Sequence, residues 1–396
     1  MYSFRYSACI LASVFCSIMA EGQSSSLLPI DENFRAVTQS DTRIFGLDFS
    51  GGIWSSENGG VSFSERYEIV GDFDDTYYTI YALGATVVTA GTDALMVRSG
   101  DNGGAWDASV NTDYVLGDLK GVAGRAVTSA ENQWVAVGND GNKGVIFSSQ
   151  DDGLGWARYE SGENFLNFDF TGVVWTGSAW LVCGLKTQIG AGSTDYSGVI
   201  YRSLDASSWT LIGDSFDAPL RALAADEGDN VLVVGESGVI LRSTDDGLNF
   251  TRIDGGSLSE DLSAVVAAGA DSFIIGGDSK SVFESNADVV SVLRPAAGGA
   301  PRVEALLLSG GNVLLGGEFA SSQRTVPFGL ELQTIENFYR LTVDEALSGK
   351  VYTLETSTSL DGWVTVSASS KAGSDAPLSW NIPADGDRRF WRVTEF

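Results

Sequence analysis

The chain has 396 residues, of which 52 are acidic, 24 are basic and none is histidine, so its formal net charge at pH 7 is −28. This charge argues against binding to nucleic acid or to anionic membrane surfaces. The absence of histidine excludes the catalytic triads and metal sites that depend on this side chain, and we expect no cofactor and no bound metal.

Residues 1–20 have the features of a secretory signal peptide. Arg5 is the only basic residue, residues 8–18 form an apolar run, and Ala20 is a small residue at the predicted cleavage point. The run is too short to span a bilayer as a helix. We therefore predict bacterial export to the periplasm or the exterior, with no membrane span in the mature chain. Cys183, the one cysteine left after cleavage, lies in an apolar run and is expected to be a buried free thiol.

Short apolar strands recur along residues 21–335. Seven of them end in glycine or run through it, at residues 44–47, 87–91, 134–138, 180–184, 232–235, 273–276 and 313–316. Each follows a shorter strand whose third residue is Ala or Gly, at residues 34–37, 80–83, 124–127, 170–173, 220–223, 262–265 and 303–306. With the turns between them, each repeat is long enough for four strands, which is typical of the blades of a β-propeller.

A polar turn with the pattern S-x-D-x-G-x-x-aromatic follows the third strand of several repeats. Its best copy is Ser243, Asp245, Gly247 and Phe250. The other copies are Ser99, Asp101, Gly103 and Trp106; Ser149, Asp151, Gly153 and Trp156; Ser56 and Asn58, with Asn in place of Asp; and Ser203, Asp205 and Trp209, one residue shorter. We expect the Asp carboxylate to accept backbone N–H groups of its own turn, and the residues of the pattern to be structural.

The turn pattern resembles the Asp-box, or bacterial neuraminidase repeat, of sialidases, sortilin-type receptors, some glycanases and photosystem II assembly factors. The resemblance implies a β-propeller in which these turns act as folding devices on the blades. Because the paired strands recur seven times, we predict an all-β fold with a seven-bladed β-propeller over residues 21–335. The arginine before three of the turns, at Arg98, Arg202 and Arg242, is expected to pair with an Asp of a neighbouring blade; a basic patch is the alternative.

The seventh repeat keeps its inner strands, but residues 325–332 replace its turn. Two segments could then close the ring: residues 26–30, as an outer strand of the seventh blade, or residues 336–343. Residues 336–396 alternate apolar and polar positions and resemble the small β-sandwich that ends many secreted bacterial proteins, where it serves for packing or attachment. The predicted fold is thus a propeller followed by a small C-terminal β-sandwich.

The second residue of each innermost strand is the best candidate for a ligand site. Around the ring these residues are Arg35, Tyr81, Arg125, Thr171, Arg221, Ser263 and Glu304. Three arginines near one mouth of the channel could receive a carboxylate, sulfate or phosphate. The predicted site is therefore Arg35, Tyr81, Arg125, Arg221 and Glu304, although each arginine could instead pair with an acidic residue between blades.

We expect a non-catalytic scaffold that binds a protein segment or a glycan, with an acidic group on the ligand. One alternative is a glycoside hydrolase of the sialidase or Asp-box glycanase type, but Arg35 alone matches the sialidase pattern, and no catalytic residue is predicted. Another is an assembly chaperone similar to the photosystem II factors, to which the C-terminal sandwich is foreign. Residues 72–75 and 139–142 are rich in oxygen ligands, yet they lack calcium-loop spacing and are expected to be solvated turns.

Overall fold

The structure is a computed structural model in which two compact units form, residues 29–322 and residues 1–28 with 323–396. It describes residues 7–12, 29–60, 62–67, 76–108, 110–111, 117–127, 132–159, 165–189, 194–213, 215–253, 258–294, 302–309, 312–317, 330–335, 338–346, 351–357, 364–365, 370–372, 376–383 and 389–395.

The unit of residues 29–322 is a β-propeller with six blades of four or five strands in its described residues. Blade one has β3 (Phe34–Gln39), β4 (Ile44–Asp48), β5 (Ile53–Ser56) and β6 (Ser64–Tyr67); blade two has β7 (Tyr77–Leu83), β8 (Thr86–Gly91), β9 (Met96–Ser99) and β10 (Asp107–Ala108); and blade three has β11 (Val110–Asn111), β12 (Leu119–Ala126), β13 (Asn132–Asp140), β14 (Lys143–Ser149) and β15 (Gly155–Arg158). Blade four has β16 (Phe168–Trp175), β17 (Trp180–Ile189), β18 (Thr194–Ser203) and β19 (Thr210–Leu211); blade five has β20 (Leu220–Ala225), β21 (Val231–Gly235), β22 (Ile240–Ser243) and β23 (Thr251–Arg252); and blade six has β24 (Leu262–Gly269), β25 (Ser272–Gly277), β26 (Val282–Asn286) and β27 (Val289–Arg294).

The prediction of seven blades is wrong, because the seventh repeat forms only part of a blade. Its two strands, β28 (Ala305–Ser309) and β29 (Asn312–Gly316), pair antiparallel, and β2 (Pro29–Glu32) adds to β29 in parallel. The resulting three-stranded sheet lies between β24 of blade six and β3 of blade one. The N-terminal segment thus supplies a strand here, as one of the two closure alternatives expected.

The second unit contains two separate sheets. Its remaining strands are β1 (Ser7–Ala12), β30 (Leu330–Ile335), β31 (Phe338–Ala346), β32 (Val351–Ser357), β33 (Val364–Thr365), β34 (Lys371–Ala372), β35 (Ala376–Pro383) and β36 (Arg389–Glu395). One sheet runs β1-β36-β32-β33 with β34 on β32, and the other runs β30-β31-β35. Residues 338–346 therefore pair with β30 and β35, so the other closure alternative, residues 336–343, is not the one that forms. A C-terminal sandwich starting at residue 336 stays a prediction.

The core lies between neighbouring blades, and it explains the strands that end in glycine. Trp134, Trp180 and Phe273 are buried there, as their apolar strands predict. A Cβ on Gly91 would lie 1.9 Å from the carbonyl oxygen of Thr76, and one on Gly138 would lie 1.9 Å from that of Asp118. The glycine of the second strand thus packs directly on the backbone that enters the innermost strand, and a side chain cannot fit.

The five box turns, which begin at Ser56, Ser99, Ser149, Ser203 and Ser243, share one hydrogen-bond pattern. In the last of them, Asp245 Oδ1 accepts the Ser243 hydroxyl at 2.7 Å and the N–H of Asn249 at 2.9 Å. Ser243 Oγ accepts the N–H of Gly247 at 2.9 Å. The same bonds to the Ser hydroxyl recur at 2.9 Å for Gly60, 2.8 Å for Gly103, 2.9 Å for Gly153 and 2.9 Å for Ala206. The Ser and the Asp thus accept backbone N–H groups of their own turn in this copy.

In three of these turns, the residue after the box Asp, which is Asn102, Asp152 or Asp246, joins the turn to the blade before it. Asp246 of blade five accepts Arg202 Nη2 of blade four at 2.6 Å and also binds the hydroxyls of Thr176 and Ser178. Its backbone has the left-handed φ of 60°. Burial raises the pKa of this carboxyl, but the bonds from Ser178, Thr176 and Arg202 outweigh burial and lower it. A buried, multiply bonded carboxylate therefore links two blades.

Equivalent links join the other consecutive blades. They are Arg43 Nη1 to the carbonyl of Asn102 at 2.6 Å, Arg98 Nε to the carbonyl of Asp152 at 2.6 Å, Gln133 Nε2 to the carbonyl of Asp205 at 3.0 Å, and Arg242 Nε to Asp271 Oδ1 at 2.8 Å. Arg98, Arg202 and Arg242 thus pair with an Asp of the next blade, as predicted, and they do not form a basic patch.

The neighbouring carboxylates of Asp245 and Asp246 should contribute very differently to stability. Asp245→Ala removes bonds to exposed N–H groups that water can replace, so we expect a loss of about 1 kcal/mol. Asp246→Ala leaves the buried Arg202 unpaired, and we expect a loss of about 3 kcal/mol or more. Urea unfolding of the two variants measures both values; equal losses would contradict the assignment of the inter-blade link to Asp246.

The propeller unit should fold without the C-terminal strands, because each blade buries its faces against its own neighbours. A chain that stops after Ser322 is expected to give a β-sheet circular dichroism spectrum and one cooperative thermal transition. A chain that stops at residue 335 serves as the control for the predicted boundary. An insoluble or non-cooperative product from both truncations would show that the second unit is required for folding.

Candidate functional site

Each innermost strand of the six blades has a register irregularity near its start, after the first residue in five blades and after the third residue in blade four. The pairing shifts between Phe34 and Ala36, Tyr77 and Thr79, Leu119 and Gly121, Phe170 and Gly172, Leu220 and Ala222, and Leu262 and Ala264. The residue before each shift is buried, and the residue after it is small. Such bulges redirect a side chain out of the sheet.

The side chains at these shifts form a set that we call the rim residues. They are Arg35, Tyr78, Lys120, Thr171, Arg221 and Ser263, together with Glu304, which has the same position between Val303 and Ala305 before β28. The backbone N–H of Glu304 donates to the carbonyl of Gly316 at 2.7 Å, so it is held against the three-stranded sheet. The rim residues therefore mark one end of the channel, where every innermost strand begins.

Several rim residues bind the next blade. Arg35 Nη1 donates to the carbonyl of Tyr77 at 3.2 Å, and Thr171 Oγ1 donates to that of Leu220 at 2.9 Å. Ser263 Oγ donates to the carbonyl of Val303 in the same way. In each case the acceptor is the buried residue just before the next rim residue. Three of the seven rim residues are thus held in place by a hydrogen bond to the backbone of the next repeat.

Three arginines surround Glu304. Partial burial raises the pKa of the Glu304 carboxyl, while Arg302, Arg35 and Arg221 lower it and Asp278 raises it further. The side chain is nevertheless exposed to water. Exposure combined with a desolvated carboxyl is expected for a group inside a channel mouth, where protein surrounds it on most sides and water still reaches it. Arg35 of blade one and Arg221 of blade five therefore share this carboxylate as an electrostatic neighbour.

The guanidinium group of Arg35 stacks on two aromatic rings. Its guanidinium carbon lies 4.7 Å from the ring centre of Tyr78 and 5.1 Å from that of Phe49. Burial and the charge of Asp118 raise the pKa of Tyr78, and Arg35 partly offsets this. The stacking fixes the plane of the guanidinium and leaves N–H groups at its edge beyond the one bond to Tyr77.

Arg221 has one ionic partner, Glu236, which begins the 3-10 turn Glu236–Gly238 after β21. Among the described residues its Nε has no hydrogen-bond partner although the atom is buried. Lys120 pairs with Asp169 of the next blade at 2.7 Å, so its charge is used locally. The arginines near Glu304 are thus the rim cations with remaining donor capacity.

Of the five predicted site residues, Arg35, Arg221 and Glu304 lie at rim positions, whereas Arg125 and Tyr81 do not. Arg125 lies five residues after the rim position of β12, about 17 Å along the strand, toward the box turns. Its guanidinium carbon is 4.2 Å from the ring centre of Trp175, and burial lowers its pKa while Asp205 raises it. Tyr81 packs edge-on against Trp134 at 6.1 Å in the core between blades.

The expected alignment was therefore wrong in blades two and three, where the rim residues are Tyr78 and Lys120. The sequence Gly124-Arg125-Ala126 is similar to Leu220-Arg221-Ala222, but it lies at the far end of β12, the strand that begins next to Lys120. A stricter sequence pattern identifies Tyr78 and Lys120 as the rim residues. The residue before the rim position must be large and buried, as Tyr77 and Leu119 are, because it packs beneath the bulge.

The other predicted features have plain structural roles or lie outside the described residues. Cys183 is buried and free, as predicted, and burial raises its pKa to about 12. In the turn of residues 139–142, Asp140 pairs with Arg158 at 3.1 Å; residues 72–75 lie outside the described residues. The described part of the chain contains no cluster of three or more His, Cys, Asp or Glu suited to a metal. None of its helical segments has the length and apolar character needed to cross a membrane.

No protein-family model and no curated protein matches the sequence. Among solved structures, virginiamycin B lyase from Staphylococcus aureus is similar with a TM-score of 0.54 and 13% identity, over 72% of this chain and 91% of that one. YCF48 bound to D1 peptide has a TM-score of 0.45 at 15% identity, over 64% and 78% of the two chains, and the GH74 xyloglucanase from Xanthomonas campestris has 0.46 at 13%, over 79% and 51%. At these identities the likeness supports the propeller fold alone.

The raised pKa of Glu304 predicts the pH dependence of its contribution to stability. A carboxyl with a raised pKa favours the folded state below its unfolded value of 4.5, and this contribution is lost as the pH rises through the folded pKa. Relative to the native chain, Glu304→Gln should therefore become more stable on going from pH 4 to pH 7. Thermal melts across this range test the sign, with Glu236→Gln, which loses the bond to Arg221, as the control. A Glu304→Gln variant whose relative stability falls toward pH 7 would contradict the prediction.

Proposed function

We propose that this protein is an exported, non-catalytic β-propeller that binds a protein segment through an acidic group at the rim. The single observation that carries the proposal is the position of Arg35 and Arg221. They come from blades one and five, yet both act on the same exposed carboxylate, Glu304. Two fixed guanidinium groups around a water-filled mouth form a receptor for a carboxylate.

The arrangement is already organised for binding. Stacking on Tyr78 and Phe49 holds the Arg35 guanidinium in one plane, so little side-chain entropy remains to be lost when a ligand binds. Arg221 has a buried Nε without a described partner. In a chain with a net charge of −28, this local group of cations is where an acidic ligand meets the least repulsion.

A protein carboxylate fits this rim better than a sugar ring does. Glycan sites commonly offer an open aromatic face, but here the guanidinium of Arg35 covers one face of Tyr78 and of Phe49. The hydroxyl groups of Thr171 and Ser263 already donate hydrogen bonds to backbone carbonyls of the next repeat. The free recognition groups are therefore charged N–H donors, which favour an aspartate, a glutamate or a chain terminus.

Three further assignments belong to the same proposal. The Ser and Asp bonds of the five box turns support identification of the repeats as Asp-boxes. The apolar run after Arg5 supports a signal peptide and hence a secreted or periplasmic protein. The alternating strands after residue 336 support a C-terminal packing or attachment module.

The binding proposal predicts a dependence on rim arginines. Fluorescently labelled synthetic octapeptides that end in Asp or Glu, and the same peptides with an amidated terminus and Asn or Gln, serve as probes in polarisation titrations. We expect the acidic peptides to bind more tightly, and the Arg35→Ala/Arg221→Ala variant to lose about 10- to 100-fold in affinity, since hydrogen bonds to charged groups contribute about 1.5–3 kcal/mol.

Arg125→Ala is the matched control, because it removes an arginine from the opposite end of an innermost strand. It should leave the affinity for the acidic peptides unchanged. Equal binding of acidic and amidated peptides, or an equal loss in the Arg125 variant, would overturn the proposal. Circular dichroism and thermal melts confirm that each variant is folded before its affinity is compared.

A further inference from the structure

The hairpin of β17 and β18 in blade four extends well beyond the rim. In blades two and five, the second strand ends at the glycine that pairs with the residue before the rim position, Gly91 or Gly235. In blade four this glycine is Gly184, and β17 continues to Ile189, which still pairs with Thr194 of β18. Five further residues span about 17 Å. The hairpin therefore projects from the end of the propeller that carries the rim.

Backbone hydrogen bonds anchor the base of this hairpin on both sides. The N–H of Thr187 donates to the carbonyl of Asn167 at 2.8 Å. The N–H of Gly198 donates to the carbonyl of Phe216 at 2.8 Å, and the N–H of Phe216 donates to the carbonyl of Gly198 at 2.9 Å. Both neighbouring segments lead into an innermost strand, β16 and β20. The hairpin is thus held in place, and a ligand that contacts it has little backbone to order.

The two faces of the hairpin have different chemistry. Cys183 of β17 packs against blade five, and Thr187 and Ile189 follow it on the same face because alternate side chains of a strand share a face. Tyr196 pairs with Thr187, so it lies on this face as well. The opposite face carries charged and amide side chains, namely Lys186, Gln188 and Asp195. The large apolar side chains of the projecting part therefore face blade five.

Ile189 and Tyr196 form one exposed apolar patch, which we call the hairpin patch. Their exposed fractions are 75% and 52%. Ile189 pairs with Thr194, two residues before Tyr196, so the two side chains are diagonal neighbours on the same face. Isolated exposed apolar residues are common, but an adjacent pair on a fixed projection provides a surface on which a partner can bury an apolar side chain.

The hairpin patch lies beside the rim residue of blade five. Gly198 shares the face of Tyr196, and a Cβ on Gly198 would lie 2.7 Å from Cγ of Leu220. Leu220 comes directly before Arg221. Tyr196 is two residues farther out than Gly198, about 7 Å along β18. Two to four residues of an extended peptide, which span about 7–14 Å, are therefore enough to connect Arg221 with the patch.

We propose that the hairpin patch is a second contact for the protein segment whose acidic group binds at the rim. It binds a large apolar side chain, aromatic or aliphatic, two to four residues from that acidic group. This inference rests on the proposed function, because it adds a feature to the same ligand. Arg221 complements the charge of the segment, and the patch, which adjoins Arg221 on the same side of blade four, complements its apolar side chain.

Labelled octapeptides of Gly and Ser that end in Asp test the proposal in polarisation titrations with the full chain. One series carries Phe two, three or four residues before the Asp, and the other carries Ala there. We expect Phe in at least one of these positions to tighten binding about 5- to 20-fold, since it buries apolar surface on the patch.

The Tyr196→Ser/Ile189→Ser variant should lose this gain and keep the affinity for the Ala peptides. Leu204→Ser is the matched control, because Leu204 is an apolar residue of the same blade that is 63% exposed but lies in the box turn. It should keep the gain. Thermal melts verify that each variant is folded, which is expected because the substituted side chains are exposed.

A photo-crosslink locates the contact directly. Benzoylphenylalanine in place of the best Phe should join the peptide to the tryptic fragment of residues 187–202, which contains Tyr196 and Ile189. A crosslink confined to other fragments would overturn the proposal. So would a Phe series that binds no better than the Ala series, or a gain that survives in the double Ser variant.

These failures differ from a failure of the rim proposal. If the Ala peptides bind in a manner that depends on Arg35 and Arg221 but Phe adds nothing, the hairpin patch is not part of the site and the rim proposal stands. If acidic and amidated Ala peptides bind equally, the rim proposal fails, and the inference that rests on it fails as well.

Discussion

The fold depends on a repeated link between consecutive blades, in which a turn of one blade is bonded to a side chain of the blade before it. Asp246 shows the link most fully, with Arg202, Thr176 and Ser178 on a single buried carboxylate. A Cβ on the adjacent Gly247 would lie 2.5 Å from Leu181 of blade four, so the turn also packs closely on that blade. Because a buried charge is tolerated only when it is paired, this contact fixes both the spacing and the orientation of the blades.

The two ends of the ring then have different properties. At the end with the box turns, three arginines are paired with carboxylates of the next blade, in the pairs Arg98–Asp152, Arg202–Asp246 and Arg242–Asp271. At the rim, hydroxyls and one arginine bond also tie blades together, but Arg35 and Arg221 keep donors that the described residues do not use.

Several of the acidic residues have a structural role at the turns. Hydrogen bonds from Ser207 lower the pKa of Asp205 to about 2, and those from the N–H groups of its turn lower that of Asp101. These carboxylates stay ionised over the whole physiological range. The hydrogen bonds that these carboxylates accept in their turns favour the ionised form in the folded state, so part of the strongly negative charge stabilises the local structure.

The sequence by itself determined the all-β class, the repeating strands, the chemistry of the box turns and the burial of Cys183. All of these depend on residues within a few positions of one another. Only the tertiary structure decided that six blades form with a three-stranded sheet beside them, because β2 pairs with β29 across most of the unit. It also decided which residues reach the rim: Lys120 and Arg125 lie on the same strand with similar neighbours, and strand register is set by pairing with β13 and by the bulge after Leu119, which no local pattern specifies.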